Sequence, residues 1–452
     1  MPLTGLEIYK LLPKTNCKDC GFSTCLAFAL QLAAKKAELK KCPHVSEEAE
    51  AALEGASAPP IKLVRIGTGE AEVKVGEETQ LFRHDDKFYN PAGVAITVDD
   101  DLEEAAFTER IEKINNLQFT RVGQEISVDL IAVLNKSGDA NTFGKRAKLA
   151  AEKSPLALIL ASKQADSIRA ALEEVAGKRP LIYAADAQNY ESMARLAKDK
   201  SVPLAVVAES LEETADLTEK IKALGVQDLM LDVGGKAIKG ALLHFTRVRR
   251  AAIKRNFRPL GFPIITFATN GDPYKAIACA STYMAKYAGI IVTDCIEPWQ
   301  ILPLLTVRQN IYTDPQKPIQ VEEKLYAVGE PDENSPLLFT TNFSLTYYTV
   351  EGDVEASRVP AWILAVDTEG TSVLTAYAGD KLTEKTVAKA LEKTKAAEKV
   401  KHKKLVIPGL VAVMSGKLEE ETGWEILVGP RESSQLPKYL NTVWRESTAV
   451  PA

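Results

Sequence analysis

The stretch LALILASKQADSIRAALEEVAGKRPLIYAAD, residues 156–186, opens on a short, nearly continuous apolar run, LALILAS (156–162). It passes through an amphipathic helical stretch, SIRAALEEVAGK, and closes on a second run, PLIYAAD (180–186). Such apolar strands suit a parallel sheet covered on both faces, and a helical crossover is what joins parallel neighbours. The unit recurs in both directions. Upstream stand VAITVD (94–99) and LIAVLN (130–135). Downstream stand PLAVVAE (203–209), DLMLDVG (228–234), PIITFATN (263–270) and IIVTDC (290–295). Amphipathic stretches such as LEETADLTEKIKALG lie between them, and PWQILPLLTVRQNIY follows the last strand. Eight strands, each followed by a helix within ~220 residues, predict a (β/α)8 TIM barrel. An open doubly wound sheet is the alternative, which the count of eight disfavours.

Several strand ends are polar: Asp99, Asn135, Asp186, Glu209, Asp232, Asn270, Asp272 and Asp294. A barrel would gather them at its C-terminal face, where such folds bind ligands. The same residues are also ordinary helix N-caps, so none is assigned a catalytic role. His244 in ALLHF and Cys279 in ACASTYMAKYAG read as packing residues, and Cys295 ends a strand. The basic run RVRRAAIKRNFR (247–258) reads as a solvated helix face, with a partner contact as the minority reading.

Before the barrel, IKLVRIGTGEAEVKVGEETQLFRHDDKFYNPAG (61–93) shows short alternating runs broken by glycine and predicts β-hairpins. Residues 43–58 read as a helix fading into an alanine-rich linker. Further upstream lies NCKDCGFSTCLAFALQLAAKKAELKKCPH (16–44), which holds four of the six cysteines in the spacing C-x2-C-x4-C-x16-C. A disulfide framework suits a small secreted domain rather than one corner of a large protein. Gly21 permits a tight turn, and Ser23 or Thr24 can cap a helix carrying Leu26, Phe28, Ala29, Leu30 and Leu32 on a buried face. That helix N-terminus would favour an anionic thiolate cluster. Ten helical residues travel ~15 Å, and a short extended return lets Cys42 close the site beside Cys25. Zinc sites pair two close ligand pairs, whereas three cysteines in nine residues with a distant fourth, followed by Pro43, favour [4Fe–4S]. His44 reads as an exposed neighbour, since four cysteines complete the set.

After PDENSP (331–336), four strands are readable: LLFTT (337–341), WILAVDTEG (362–370), KLVIPG (404–409) and WEILVGP (424–430). LTEKTVAKALEKTKAAEK is helical, with Thr383 as its cap. This predicts a small parallel α/β domain of doubly wound type. Its strand ends continue as TTNFSLT, DTEGTSV, IPGLVAVMSG and VGPRESS, and a parallel sheet places all four on one edge. Glycine admits a ligand to the backbone, and hydroxyls donate and accept hydrogen bonds. A flat, amide-rich ligand suits that edge. Ordinary loop chemistry uses the same residues.

The whole chain has 452 residues, which at ~150 per domain suggests about three domains. Apolar residues make up 46% and charged residues 26%, which excludes a disordered chain. The charge sum, 56 − 61 = −5, argues against a general nucleic-acid binder. No apolar run reaches the ~18 residues of a membrane span, and MPLTGLEIYKLLPK lacks a secretory h-region. A cytoplasmic protein is expected.

The order of a four-cysteine segment, a barrel and a small α/β domain resembles the large (gamma) subunit of the corrinoid iron–sulfur protein of the acetyl-CoA (Wood–Ljungdahl) pathway. The start MPLTGLEIYKLLPKTNCKDCG carries the resemblance over the first ~45 residues, and the domain order extends it over the chain. The cysteine spacing alone is shared with other anaerobic iron–sulfur proteins, including the B subunit of the Rnf electron-transport complex. The resemblance implies a methyl carrier that does not turn over alone. Its corrinoid, as cob(I)amide, takes a methyl group from methyltetrahydrofolate on a separate methyltransferase. It then delivers the group to the nickel–iron–sulfur cluster of acetyl-CoA synthase/CO dehydrogenase. The [4Fe–4S] cluster, on Cys17, Cys20, Cys25 and Cys42, reactivates Co(II). A smaller TIM-barrel subunit completes a heterodimer, and an anaerobic cytoplasm is implied. Corrinoid contacts carried over are Thr340, Thr346, Gly370, Thr371, Ser372, Val373 and Ser433, with Gly409, Gly429 and Pro430 from loop position. None of His44, His84, His244 or His402 stands in the D-x-H-x-x-G motif of many corrinoid domains, which agrees with the family's base-off corrinoid. The expected divisions are 1–57 (cluster), 58–92 (hairpins), 93–324 (barrel) and 325–452 (corrinoid domain), with 313–336 as the natural hinge. The alternatives are an electron-transfer protein without corrinoid, a pterin-dependent methyltransferase and a zinc-stabilised module.

Overall fold

The computed structural model describes residues 5–33, 37, 39–46, 49, 59–234, 237–269, 271–314 and 318–445. The chain forms two compact units, Met1–Phe119 with Ser127–Tyr312, and Thr120–Ile126 with Thr313–Ala452. No helix among the described residues is long and apolar enough to cross a membrane.

In the first unit, β1 (Val64–Ile66) pairs antiparallel with β2 (Val73–Val75), the hairpin expected from the glycine-broken alternation. Then come β3 (Gly93–Asp99) and β6 (Leu130–Leu134); the intervening two-stranded sheet of β4 (Gln118–Arg121) and β5 (Gln124–Ser127) has its residues Thr120–Ile126 in the second unit. They are followed by β7 (Ala157–Ala161), β8 (Leu181–Ala185), β9 (Leu204–Val207), β10 (Leu229–Asp232), β11 (Ile264–Phe267) and β12 (Ala288–Thr293). β3 and β6 to β12 close into an eight-stranded barrel, parallel throughout. Every strand read from the sequence is present. Val64, Ile66 and Val75 pack into the same apolar cluster as Ala95, Leu130 and Ile290, so the hairpin plugs the barrel at the start of its strands. The crossover helices bury one stripe each. In Ala165–Val175 the buried positions include Ile168, Ala171, Leu172 and Val175, the i, i+3, i+4, i+7 spacing of a helix face.

Two of the strand-end polar groups serve helix entry. Asp272 accepts from the Tyr274 and Lys275 amides, and Asp186 from those of Gln188 and Asn189. Asp232 differs: its Oδ2 accepts from the Tyr183 hydroxyl at 2.7 Å, and burial pushes its carboxyl above the ordinary range. Asn270 lies outside the described residues. Cys279 and Cys295 are buried, and His244 Nδ1 meets the Val233 carbonyl at 2.7 Å. The run 247–258 is not uniformly a solvated face. Arg249 is 4% exposed, donates to Glu78 Oε2 at 2.8 Å and to the Gln80 carbonyl, and stacks over Phe88 and Tyr287. Basic residues spaced along a helix do not all face water, and Arg249 falls on the inward stripe with Phe245, Val248 and Ala252.

The second unit is a five-stranded sheet in the order β13-β15-β14-β16-β17. Its strands are β13 (Leu325–Val328), β14 (Leu337–Thr341), β15 (Ala361–Val366), β16 (Lys404–Ile407) and β17 (Glu425–Val428). The last four are parallel, as expected. β13 is an additional antiparallel edge strand on β15. The expected hinge is therefore fixed to this sheet from about Pro318 onward. Val321 N–H donates to the Asn342 carbonyl, and Glu323 accepts from Lys393. Leu337, Phe339, Leu364 and Ile407 build the core on one face of the sheet. Leu338, Ile363, Val406 and Tyr347 build it on the other. Thr383 caps the helix Glu384–Lys393 through a reciprocal capping box with Thr386.

Candidate metal centre and ligand cleft

The cysteine segment pairs the helix Gly5–Leu11 with the helix Cys25–Ala33 over Ile8, Leu12, Phe28 and Ala29. Thr24 caps the second helix, its Oγ1 accepting from the Ala27 amide at 3.0 Å. Of the expected apolar face, Phe28 and Ala29 are buried, but Leu26 and Leu30 are 37% and 53% exposed. A pair of short helices can cover only one stripe. Between the helices the backbone coils tightly, with positive φ at Lys14, Asn16, Lys18 and Gly21. Gly21 (φ +84°) makes the turn that non-glycine residues resist. Asn16 Oδ1 accepts from the Cys25 amide at 2.8 Å, which fixes the buried thiol at the first helical position.

All four thiols are free. Burial pushes the Cys42 thiol above its ordinary value, and the neighbouring Cys20, Cys17 and Cys25 add to that shift, so the four form one electrostatic group. Cys17 is exposed, Cys20 and Cys42 half-buried, Cys25 buried. Cys17, Cys20 and Cys25 lie near enough to Cys42 to act on its ionisation, and four such thiols beside a loop of positive φ fit a metal core, because a bound cation relieves their repulsion on ionisation. His44 is engaged elsewhere: its Nε2 lies 2.7 Å from Asp19 Oδ2. Cys17, Asp19 and His44 also bring one ligand atom each within 4.8 Å of one another, a mixed S, O, N set beside the thiols.

The second candidate site is a cleft of about 280 Å³ in the second unit. It opens over the carboxyl ends of β14 and β16, adjacent strands whose outgoing connections take opposite faces of the sheet. That is the topological switch point, where open α/β sheets bind ligands. Thr340, Thr346, Val373, Gly429, Pro430 and Ser433 line it together. Gly370, Thr371 and Ser372 occupy the neighbouring loop after β15 and do not line the cleft. Gly370 (φ +70°) turns beneath Pro318 and Gln320. Gly409 lies beneath the lining, packed on the backbone of Gly429 and Pro430. Leu345, Thr349, Val350, Leu410 and Leu436 also line the cleft, and sequence reasoning missed them. Leu345, Thr349 and Val350 share the helix SLTYYTVEGDV, whose spacing was their only signal and serves core packing equally, while Leu410 and Leu436 carried none. The lining thus mixes aliphatic side chains with the hydroxyls of Thr340, Thr346, Thr349 and Ser433 and the charged Arg431 and Glu432. The Thr340 hydroxyl is 1% exposed at the cleft floor with no hydrogen-bond partner among the described residues. A buried hydroxyl without a partner costs about 1–3 kcal/mol, so a ligand atom there restores what folding gave up.

The close packing of the two loops yields a prediction. A Cβ at Gly409 would meet the Gly429 carbonyl oxygen at 2.5 Å and the Pro430 carbonyl carbon at 2.8 Å. Both are backbone atoms, so neither yields as a side chain would. Gly409→Ala should cost about 1–3 kcal/mol and deform the cleft wall at Gly429 and Pro430. Urea unfolding of the variant against the parent chain checks the cost.

Comparison with known proteins adds identity to this geometry. A family model described as CO dehydrogenase/acetyl-CoA synthase delta subunit matches residues 63–440, and one for an Fe-S cluster matches residues 12–44. The corrinoid/iron-sulfur protein large subunit of Moorella thermoacetica is 48% identical, over 96% of this chain and 97% of its own. The chain belongs to this corrinoid/iron-sulfur protein family. A second member is the acetyl-CoA decarbonylase/synthase complex subunit gamma of Methanothermobacter thermautotrophicus, 38% identical over 99% of this chain and 100% of its own. Among solved structures, the dihydropteroate synthase of Thermus thermophilus aligns at TM-score 0.40 and 13% identity, covering 56% of this chain and 100% of that one. The Fe-S cluster match over residues 12–44 spans Cys17, Cys20, Cys25 and Cys42.

Proposed function

We propose that this chain is a methyl carrier whose C-terminal cleft holds a corrinoid in base-off form and whose N-terminal thiols hold a [4Fe–4S] cluster. The observation that carries the reading is the Thr340 hydroxyl, buried and unpartnered at a switch-point cleft, in a chain of the corrinoid/iron-sulfur protein family. The bound corrinoid supplies the nucleophile for methyl transfer, and the cluster supplies the electrons that reactivate it. The methyl donor is methyltetrahydrofolate on a separate methyltransferase, and the acceptor is acetyl-CoA synthase. A smaller barrel subunit is the expected partner. The division into cluster segment, barrel and corrinoid domain belongs to the same reading.

The residues have separate tasks. Cys17, Cys20, Cys25 and Cys42 hold the cluster, with Asn16 and Gly21 shaping the loop around it. Thr340, Thr346 and Ser433 offer hydroxyls to the amide-rich periphery of a corrinoid, while Leu345, Val350, Val406 and Leu436 exclude water. The cleft is smaller than a whole corrinoid and would take only part of one, against Thr340, Thr346 and Ser433. Gly370, Thr371 and Ser372 would act from the loop after β15, which runs on into Val373 of the lining. Gly409, Gly429 and Pro430 allow the backbone to approach closely. No histidine is among the lining residues, and His402 uses both ring nitrogens elsewhere, on Ser335 and Lys404.

Anaerobic purification with metal analysis tests the reading. About four iron atoms per chain are expected, with one cobalt, and a Co(II) EPR spectrum free of nitrogen superhyperfine splitting. Iron without cobalt, even after corrinoid reconstitution, would support a pure electron-transfer protein instead.

A further inference from the structure

One buried side chain ties the strap at 318–324 to the ligand edge of the second unit. Asn342 directly follows β14 and is 3% exposed. Its Oδ1 accepts from the Thr368 amide at 3.0 Å, the Thr368 hydroxyl at 3.2 Å and the Gly370 amide at 3.1 Å. Its Nδ2 donates to Asp367 Oδ1 at 2.9 Å and to Gln320 Oε1 at 3.1 Å. The amide therefore uses all its donors and acceptors. Four of these bonds end in the loop after β15, and the fifth ends on the strap.

Both ends lead further. The loop closes on itself through Thr371 Oγ1 to the Thr368 carbonyl at 2.7 Å, and the single Thr368 hydroxyl proton is shared between Asn342 Oδ1 and the Thr371 carbonyl at 3.0 Å. It runs on through Ser372 into Val373, which lines the cleft. On the strap side, Ser344 N–H donates to the Ile319 carbonyl at 3.0 Å, and Asp367 N–H to Glu323 Oε1 at 3.2 Å. Gly370 sits directly under the strap, where a Cβ would come within 2.8 Å of Gln320 Cγ and 3.1 Å of Pro318 Cβ.

We propose that Asn342 is a positioning residue for the cofactor: it sets the shape of loop 367–372, and through Gln320 it passes the seating of strap 318–324 to that loop. The inference rests on the reading that the cleft holds the corrinoid. A strap that shifts withdraws one acceptor from Asn342 and loosens the turn that presents Thr371 and Ser372. Cofactor retention thereby depends on residues that never touch it.

The test uses the full chain, first free of corrinoid and then loaded with aquacobalamin, and reads amide exchange at 368–371 together with cobalamin release. Gln320→Ala removes an exposed side chain and one hydrogen bond, so exchange and release should each quicken about fivefold. Asn342→Asp keeps the acceptor, loses both donors and sets two carboxylates side by side. Release should then quicken about ten- to a hundredfold. Adding Asp367→Asn supplies a donor to the new carboxylate and should return both rates to within about threefold of the parent. Unchanged loop exchange in both single variants, or no rescue, overturns the proposal. So does faster exchange spread evenly over β14 to β17, which would mark a merely structural loss. A parent chain that takes up no cobalamin overturns the cleft reading instead, and exchange in the corrinoid-free chain still judges the coupling.

Discussion

Cys25→Ala should lower iron from about four atoms per chain to background, while cobalt stays bound. Cys25 differs from the other three thiols in being buried at the first position of a helix, with its amide held by Asn16. The exposed Cys17 could be replaced by a water or a small thiol at the cluster corner, but solvent does not reach Cys25. The loss should extend beyond the metal. A segment whose cluster holds five buried residues among those described has little core of its own, and in such segments the metal-binding free energy is folding free energy. The stretch 12–44 should therefore become protease-sensitive in the variant, and equally in the parent chain after iron chelation. Cys279→Ala serves as the control, since Cys279 packs in the helix Pro273–Ala285 and should leave iron unchanged. Full iron in Cys25→Ala would exclude the four-cysteine ligand set.

Arg249→Ala should destabilise the barrel unit by about 3–5 kcal/mol, because it leaves the Glu78 carboxylate buried without its countercharge. Arg249 also covers Phe88 and Tyr287 and bonds the Gln80 carbonyl, so packing and a backbone acceptor are lost with the charge. The pH dependence has a definite sign. Burial pushes the Glu78 carboxyl above its ordinary value, and Arg249 opposes that shift. Without Arg249 the carboxyl rises further, and the folded chain then holds a proton that the unfolded chain releases. Folding gains from proton uptake as pH falls. The deficit of Arg249→Ala should thus be largest near neutrality and shrink towards the ordinary carboxylate range. Urea unfolding of the barrel unit at about pH 5 and about pH 7.5 reads this directly. Adding Glu78→Gln should recover much of the loss at the higher pH, since no charge is then stranded. A deficit that is the same at both pH values would locate the effect in packing alone.

Much of the fold is legible in the sequence. The barrel was readable because its strands, such as LALILAS and PLIYAAD, are buried on both faces and appear as unbroken apolar runs. The four-thiol set stands out in the sequence because soft-metal coordination demands thiols at short spacings, and few other roles gather four cysteines in 26 residues. The strand β13 was not. Its sequence, LYAV, follows two glutamates in a Pro-rich, charged stretch, and an edge strand pairs on one side only, so little apolar pattern marks it. Arg249 was hidden for the opposite reason. It sits among five other basic residues in 247–258, and only the packing of the helix against Glu78 and Tyr287 shows which of them turns inward.

The ligand edge divides in the same way. Sequence alone placed Thr340, Thr346 and Ser433 at strand ends on one side of a parallel sheet, because chain order and strand direction are local properties. The strand order β15-β14-β16 decided the rest. It put the crevice between β14 and β16, gathered residues more than 80 positions apart around it, and left Gly370 under a strap rather than in the cleft. Asn342 shows the limit most plainly. In the sequence it is one polar residue in TTNFSLT, and its five hydrogen bonds to Gln320, Asp367, Thr368 and Gly370 exist only once the sheet brings those segments together. Local periodicity and ligand spacing are written in the chain. Which side chains share a cleft depends on contacts between distant segments, and those are fixed only by the burial and hydrogen bonding of the whole fold.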